Sequence, residues 1–231
     1  MMCGRHSSIR SRLGPALALV LAIGGWWIAA GAGAVAATAT PDSGAGASAG
    51  GERAVAICCA WGHRLADGVL TYSVSSTDPT AASIIRNAVA AWDDALPDLR
   101  MTEVTKKPDI AITYGPGAAD GGESPGGTGA RGLTTTYLNG RHLVLRVEIG
   151  IDGGPTPVNA GAVEEIAKHE LGHSLGLGHA NWDGDLMSPL VNPTPAALPP
   201  CDVNAVIHAN SWRMVDHARR PKPAPATSSP C

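Results

Sequence analysis

The chain has 231 residues, 44% of them hydrophobic, with 17 Lys+Arg against 20 Asp+Glu for a formal net charge of −3. That is enough apolar material for one domain with a real core. A mildly acidic chain with no basic stripe along its body excludes nucleic acid as the main partner.

The amino-terminal segment is not core material. MMCGRHSSIRSR carries Arg5, Arg10 and Arg12 and no acid, the apolar run LGPALALVLAIGGWWIAA follows, and GAGAVA ends it at Ala36. The order basic, apolar, small predicts a secretory signal peptide over residues 1–36, cut near Ala36, and a secreted chain with no stable membrane insertion afterwards. The competing reading is an uncleaved anchor, since the apolar run is long and includes Trp26 and Trp27. Export permits disulfides. The exported part holds Cys58, Cys59, Cys201 and Cys231, and adjacent cysteines rarely bridge without strain. Cys58 and Cys59 are therefore expected to pair with Cys201 and Cys231, with both partner assignments open.

Residues 37–57 read as a Gly/Ala-rich linker, and the folded domain is expected over residues 58–217. GVLTYSVSS alternates like a strand. Asp78-Pro79 reads as a cap followed by proline at the first helical position. Ala81, Ile84, Ile85, Ala88, Val89 and Trp92 then recur at helical spacing, until Pro97 stops the helix. LRMTEV and DIAITYG are short strands on either side of a polar turn. The glycine-rich stretch from Gly115 to Gly132 is a surface loop, and no GK[ST] makes it a phosphate loop. LTTTYL and HLVLRVEIG flank Asn139-Gly140, a strong hairpin signal. A further loop leads to Asn159, which can cap the helix GAVEEIAKHELGHSL. Later, Asp202 can cap a last helix, DVNAVIHANSW, before a flexible tail over 218–231. This order predicts an α+β domain: a twisted mixed five-stranded sheet packed on two long helices, with a small carboxyl-terminal subdomain and a third helix.

The chemistry sits in HELGHSLGLGH, His169 to His179. On a helix His169 and His173 lie about 40° apart, close enough to share one ion. Gly176 can end the helix in a left-handed conformation and turn the chain so that His179 reaches the same ion. Three imidazoles leave a fourth tetrahedral position open, which is the pattern of a catalytic zinc site rather than a closed structural one. Glu170, between the ligands, is placed to act as general base.

HExxHxxGxxH followed by Met187 in DLMSP resembles the signature of the metzincin zinc endopeptidases. The gap from His179 to Met187, the Pro189 beyond it and the order of the preceding elements are similar to the matrixin (matrix metalloprotease-like) branch. The resemblance covers about residues 65–215. It implies a metzincin fold with Met187 as the Met-turn, one catalytic zinc held by His169, His173 and His179, and peptide-bond hydrolysis with Glu170 as base. It implies that Gly132, Leu133, Thr134 and Thr135 form the strand edge along which a protein or peptide substrate lies, and that Pro189, Leu190 and Val191 wall the pocket after the cut bond. Tyr137 reads as a packed strand aromatic. The region before the active-site helix offers His142, Asp120, Glu123, Glu148 and Asp152 but lacks the row of histidines of the animal matrixins. Calcium there stays possible, and a structural zinc is not expected. The short run of mostly small residues over 37–57 is not expected to fold as a prodomain, and a monomer is expected. Two other functions compete: a catalytically inactive zinc-binding scaffold, and a hydrolase restricted to small or cell-wall peptides.

Overall fold

The computed structural model describes residues 52–120, 131–153, 160–190, 192, 194, 196–215 and 227–231. All of them belong to one unit, Ala47–Cys231. The segment read as a signal peptide, the cap at Asn159, and Glu123 and Val191 lie outside the described residues. No helix among those described is long and apolar enough to cross a membrane.

The chain enters through β1 (Ala54–Ile57) and β2 (Ala60–Trp61), then a short 3-10 turn, then β3 (Val69–Ser75). Helix α1 (Pro79–Ala95) follows as the sequence predicts: the Asp78 carboxylate accepts from Thr80 N at 2.8 Å and Ala81 N at 3.2 Å, and Pro79 stands at the first position. These contacts satisfy donors that every helix start leaves unpaired. Its apolar stripe is buried except Ile84, which is only partly covered. After β4 (Arg100–Glu103) and β5 (Ile110–Tyr114), β6 (Arg131–Leu138) and β7 (Leu143–Asp152) form the expected hairpin. Its turn spans residues 139–142, where the Asn139 side chain accepts from Arg141 N and Leu143 N.

The main sheet runs β4-β3-β5-β7 in parallel, with β6 antiparallel on the far edge of β7 and the two-residue β2 beside the start of β7. This is the expected mixed sheet, with β2 as an added sixth member. Val147, Ile149 and Ile151 of β7, with Ile110 and Ile112 of β5, turn one face into the core. Against that face lie α1 and α2 (Ala160–Ser174), joined where Trp92 Nε1 donates to Lys168 O at 3.0 Å. Burial of these aliphatic and indole side chains supplies the main stabilising term, about 25 cal/mol per Å² removed from water.

Beyond α2 come β8 (Leu177–Ala180), α3 (Pro200–Ala209), the short α4 (Ser211–Met214) and β9 (Ser228–Pro230). A second sheet, β8-β1-β9, draws together the stretch read as linker and the stretch read as tail. The expected cysteine pairing is corrected here. Cys201 bonds Cys231, and Cys58 bonds Cys59. The β1–β9 register explains it: Cys231 N donates to Arg53 O, at the opposite end of β1 from Cys58. Five extended residues separate those points by about 17 Å, beyond any disulfide's reach. Asp202 is not the cap of α3 either. The helix starts two residues earlier, with Pro200 at its first position and no side-chain cap, and Asp202 is fully buried.

Candidate metal centre

His169 and His173 stand one turn apart near the end of α2, and His179 is on β8. Their ligating nitrogens all lie within 4.8 Å of one another. What turns the chain between them is Gly176, at φ +104°, where a Cβ would come within 2.5 Å of Cys59 O. Any other residue would strain the backbone and collide with β1's exit.

Each helical imidazole is oriented by a backbone carbonyl. His169 Nδ1 contacts Leu186 O at 2.6 Å and His173 Nδ1 contacts Leu177 O at 2.9 Å. With the Nδ1 protons donated to those carbonyls, both Nε2 atoms present lone pairs, and they face each other at 3.0 Å. Two lone pairs aimed together in a buried place repel unless a cation lies between them. This donor set fits zinc: three imidazoles, each helical ring held by a carbonyl behind it. Burial, and next the neighbouring His173, push the His169 pKa down to about 3, against the opposing pull of the Leu186 carbonyl. The ring is thus neutral and ready to ligate at any ordinary pH.

The Leu186 carbonyl is delivered by a turn built on Asp185. Its carboxylate accepts from Met187 N at 3.0 Å, while Met187 O accepts from Ala180 N at 2.8 Å. Met187 is fully buried, and its thioether packs on Gly172, where a Cβ would meet the sulfur at 2.5 Å. A helix with any side chain at position 172 could not sit so close above that turn.

Glu170 is 3% exposed and leans toward β6. Thr134 Oγ1 donates to its Oε2 at 2.6 Å, and a Cβ at Gly132 would collide with its carboxylate. The cleft beside it, about 310 Å³, is lined by Gly132, Leu133, Thr134, His173 and His179 among others. Thr136 and Cys58 also line it, neither being in the sequence-based substrate edge. Thr135 lines a hollow on the outer face of the sheet instead, with Glu148 and Ala111. Pro189 and Leu190 are exposed, Leu190 at 63%. Tyr137 sits on that outer face, its hydroxyl donating to Glu148 and its ring under Arg146, as a packed aromatic. Asp152 accepts from Gly117 N, and Glu148 pairs with Arg146.

The support behind the turn comes from residues that no motif marks. Carbonyls at the end of α2 lack helical partners. Ser174 O receives Trp61 Nε1 at 2.9 Å, and Leu175 O receives Asn210 Nδ2 at 2.9 Å. Asn210 Oδ1 in turn accepts from Trp61 N at 2.9 Å, and Trp212 Nε1 donates to Trp61 O. A tryptophan in a two-residue strand and an asparagine between two helices carry no local signal for such bonds; only the spatial meeting of β2 with α3 and α4 reveals them.

The match to a family model agrees with this arrangement. The family model described as Matrixin matches residues 60–209. Among solved structures the chain is similar to one titled "Structure of myroilysin", at 18% identity and a TM-score of 0.32. That alignment covers 48% of this chain and 48% of the other, so the chain matches about half the length of that protein.

Proposed function

The chain belongs to the matrixin family, and on that premise we propose that it is a secreted zinc-dependent endopeptidase acting on proteins or peptides. The observation that carries this is the convergence of three histidine nitrogens beside a cleft into which Glu170 also opens. His169, His173 and His179 would hold the ion. Zinc, when bound, supplies a Lewis acid that makes water acidic and polarises the scissile carbonyl.

Everything else is the work of the chain's own groups. Glu170 takes the proton of the attacking water and returns it to the leaving amine. Thr134 holds the Glu170 carboxylate in one orientation through its short hydrogen bond. A substrate lies along β6 as an added antiparallel strand, bonding the main chain of Gly132, Leu133, Thr134 and Thr135. The outer edge of β6 supports this, since β7 pairs with its other edge. Pro189 and Leu190 wall the pocket that takes the residue after the cut bond. Export is supported by the order of residues 1–36 and by the Cys201–Cys231 bond, which suits an oxidising compartment.

The test is cleavage of an unfolded protein by the exported chain and by Glu170→Ala, with zinc per chain measured on both. The expected outcome is one zinc in each and a rate loss of about 10²–10⁴-fold in the variant. Equal cleavage by the variant would sink the mechanism. One zinc per chain with no cleavage of any peptide would favour the inactive scaffold.

A further inference from the structure

Immediately ahead of His169, α2 buries two charges that zinc binding leaves unused. The side chains of Glu165 and Lys168 are each 6% exposed and meet at 3.0 Å, and the ammonium also reaches Glu164 at 2.7 Å. Helical spacing of three and four explains the meeting but not the burial, since charges on a helix ordinarily face water. The reason lies across the gap, at Ala196. Lys168 Nζ donates to Ala196 O at 2.8 Å, and Ala196 N donates to Glu165 Oε1 at 3.0 Å.

One ion pair thus satisfies both backbone groups of Ala196, as a neighbouring strand would. Residues 196–199 have no helix or strand of their own, so this clamp stands in for a ladder. The chain from Met187 to α3 is tied at its start by Asp185 and near its end by Ala196. Exposed Pro189 and Leu190 lie between the two ties. Behind it a cavity of about 60 Å³ separates Glu165 from Asp185, Leu186 and Pro199.

We propose that Glu165 and Lys168 are positioning residues for substrate selection: by gripping Ala196 they hold the wall of the pocket that takes the residue after the cut bond. This rests on the peptidase reading and on the assignment of Pro189 and Leu190 to that wall. A buried pair is weak evidence for stability alone, because removing two charges from water costs nearly what their attraction returns. Its geometric effect on the wall is the more telling consequence. With the grip intact the pocket keeps one depth; with it released the wall yields and larger side chains enter.

The experiment uses the zinc-loaded exported chain, Lys168→Met, Glu165→Gln and the conservative Lys168→Arg. The probe is a peptide library from a digested, unfolded protein, with cut sites read by mass spectrometry. Hydrogen exchange at the Ala196 amide is read in parallel. In Lys168→Met and Glu165→Gln we expect that amide to exchange about tenfold faster. The residue after the cut should broaden toward bulkier side chains, and kcat/KM for the preferred peptide should fall about tenfold, mainly through KM. Zinc should stay at one per chain, and Lys168→Arg should restore the profile. Faster exchange with an unchanged cut-site profile overturns the proposal, leaving the pair as structure alone. Unchanged exchange in both neutralised variants overturns it too, by showing that the clamp does not hold Ala196. A wild-type chain that cleaves no peptide overturns the peptidase reading and the proposal with it, and the wild-type arm shows this without reference to the variants.

Discussion

Asp202 has no exposed surface, and its two carboxyl oxygens meet no N–H or O–H donor among the described residues. What they meet is the carboxyl of Asp185, so one of the pair must keep a proton for them to bond. Burial first, and then the Asp185 charge, push the Asp202 pKa up to about 8. The sign follows from linkage. Below the ordinary 3.8 both folded and unfolded chains hold the proton, and no stability is lost. Between there and about 8 the unfolded chain releases it while the folded chain keeps it, so stability falls as pH rises through that window. Asp202→Asn supplies a permanent donor in its place. Urea unfolding should show the variant more stable by about 1–3 kcal/mol at pH 8 and equal to wild type near pH 3.5; a variant less stable at both pH values would contradict this. At this scale the convergence of His169, His173 and His179 was legible, because metal chemistry constrains side-chain type and spacing together. Leu186 and Leu177 were not, since they act through carbonyls that every residue owns.

Helix α1 and β3 to β7 were readable because each carries its own period, cap or turn residue. The Asp78 cap and the Asn139 turn are local bonds, spanning two to four residues. By contrast β1, β2 and β9 are too short to show alternation, and the Ser-Ser-Pro of β9 has little strand preference. They exist because distant segments pair. The start of α3 follows the same logic: Pro200, with no N–H to satisfy, takes the first helical position, and Asp202, a cap by sequence, is buried against Asp185. The same long-range logic makes Asn210 a sensitive residue. Its amide bonds Trp61 N, Leu175 O and Val206 O in a buried place. Asn210→Leu leaves Trp61 N and Leu175 O without those partners and should cost about 2–4 kcal/mol in denaturant unfolding. A change below about 0.5 kcal/mol would show that the network does not brace the end of α2.

Across the whole molecule, one end of the described unit is paired with the strand that carries His179, and the other end is fastened to that first end and to α3. Strand β1 lies between β8 and β9, and Cys231 is bonded to Cys201 at the start of α3. The loop closed by that bond spans 30 residues, for which chain-entropy arguments give about 3–4 kcal/mol. Cys231→Ser should therefore lower stability by about that amount and speed exchange at Ile57 N, which donates to Thr227 O beside β9. Stability unchanged in the variant would mean that the carboxyl-terminal strand docks without its staple. All of this framework serves to hold three imidazoles at one point, and the most direct test is made there. Cleavage of an unfolded protein by the exported chain is measured before chelation, after it, and after return of one equivalent of zinc. Loss of cleavage with chelation and its recovery at one zinc per chain is the predicted result. Cleavage that persists in the metal-free chain would contradict the account at its centre.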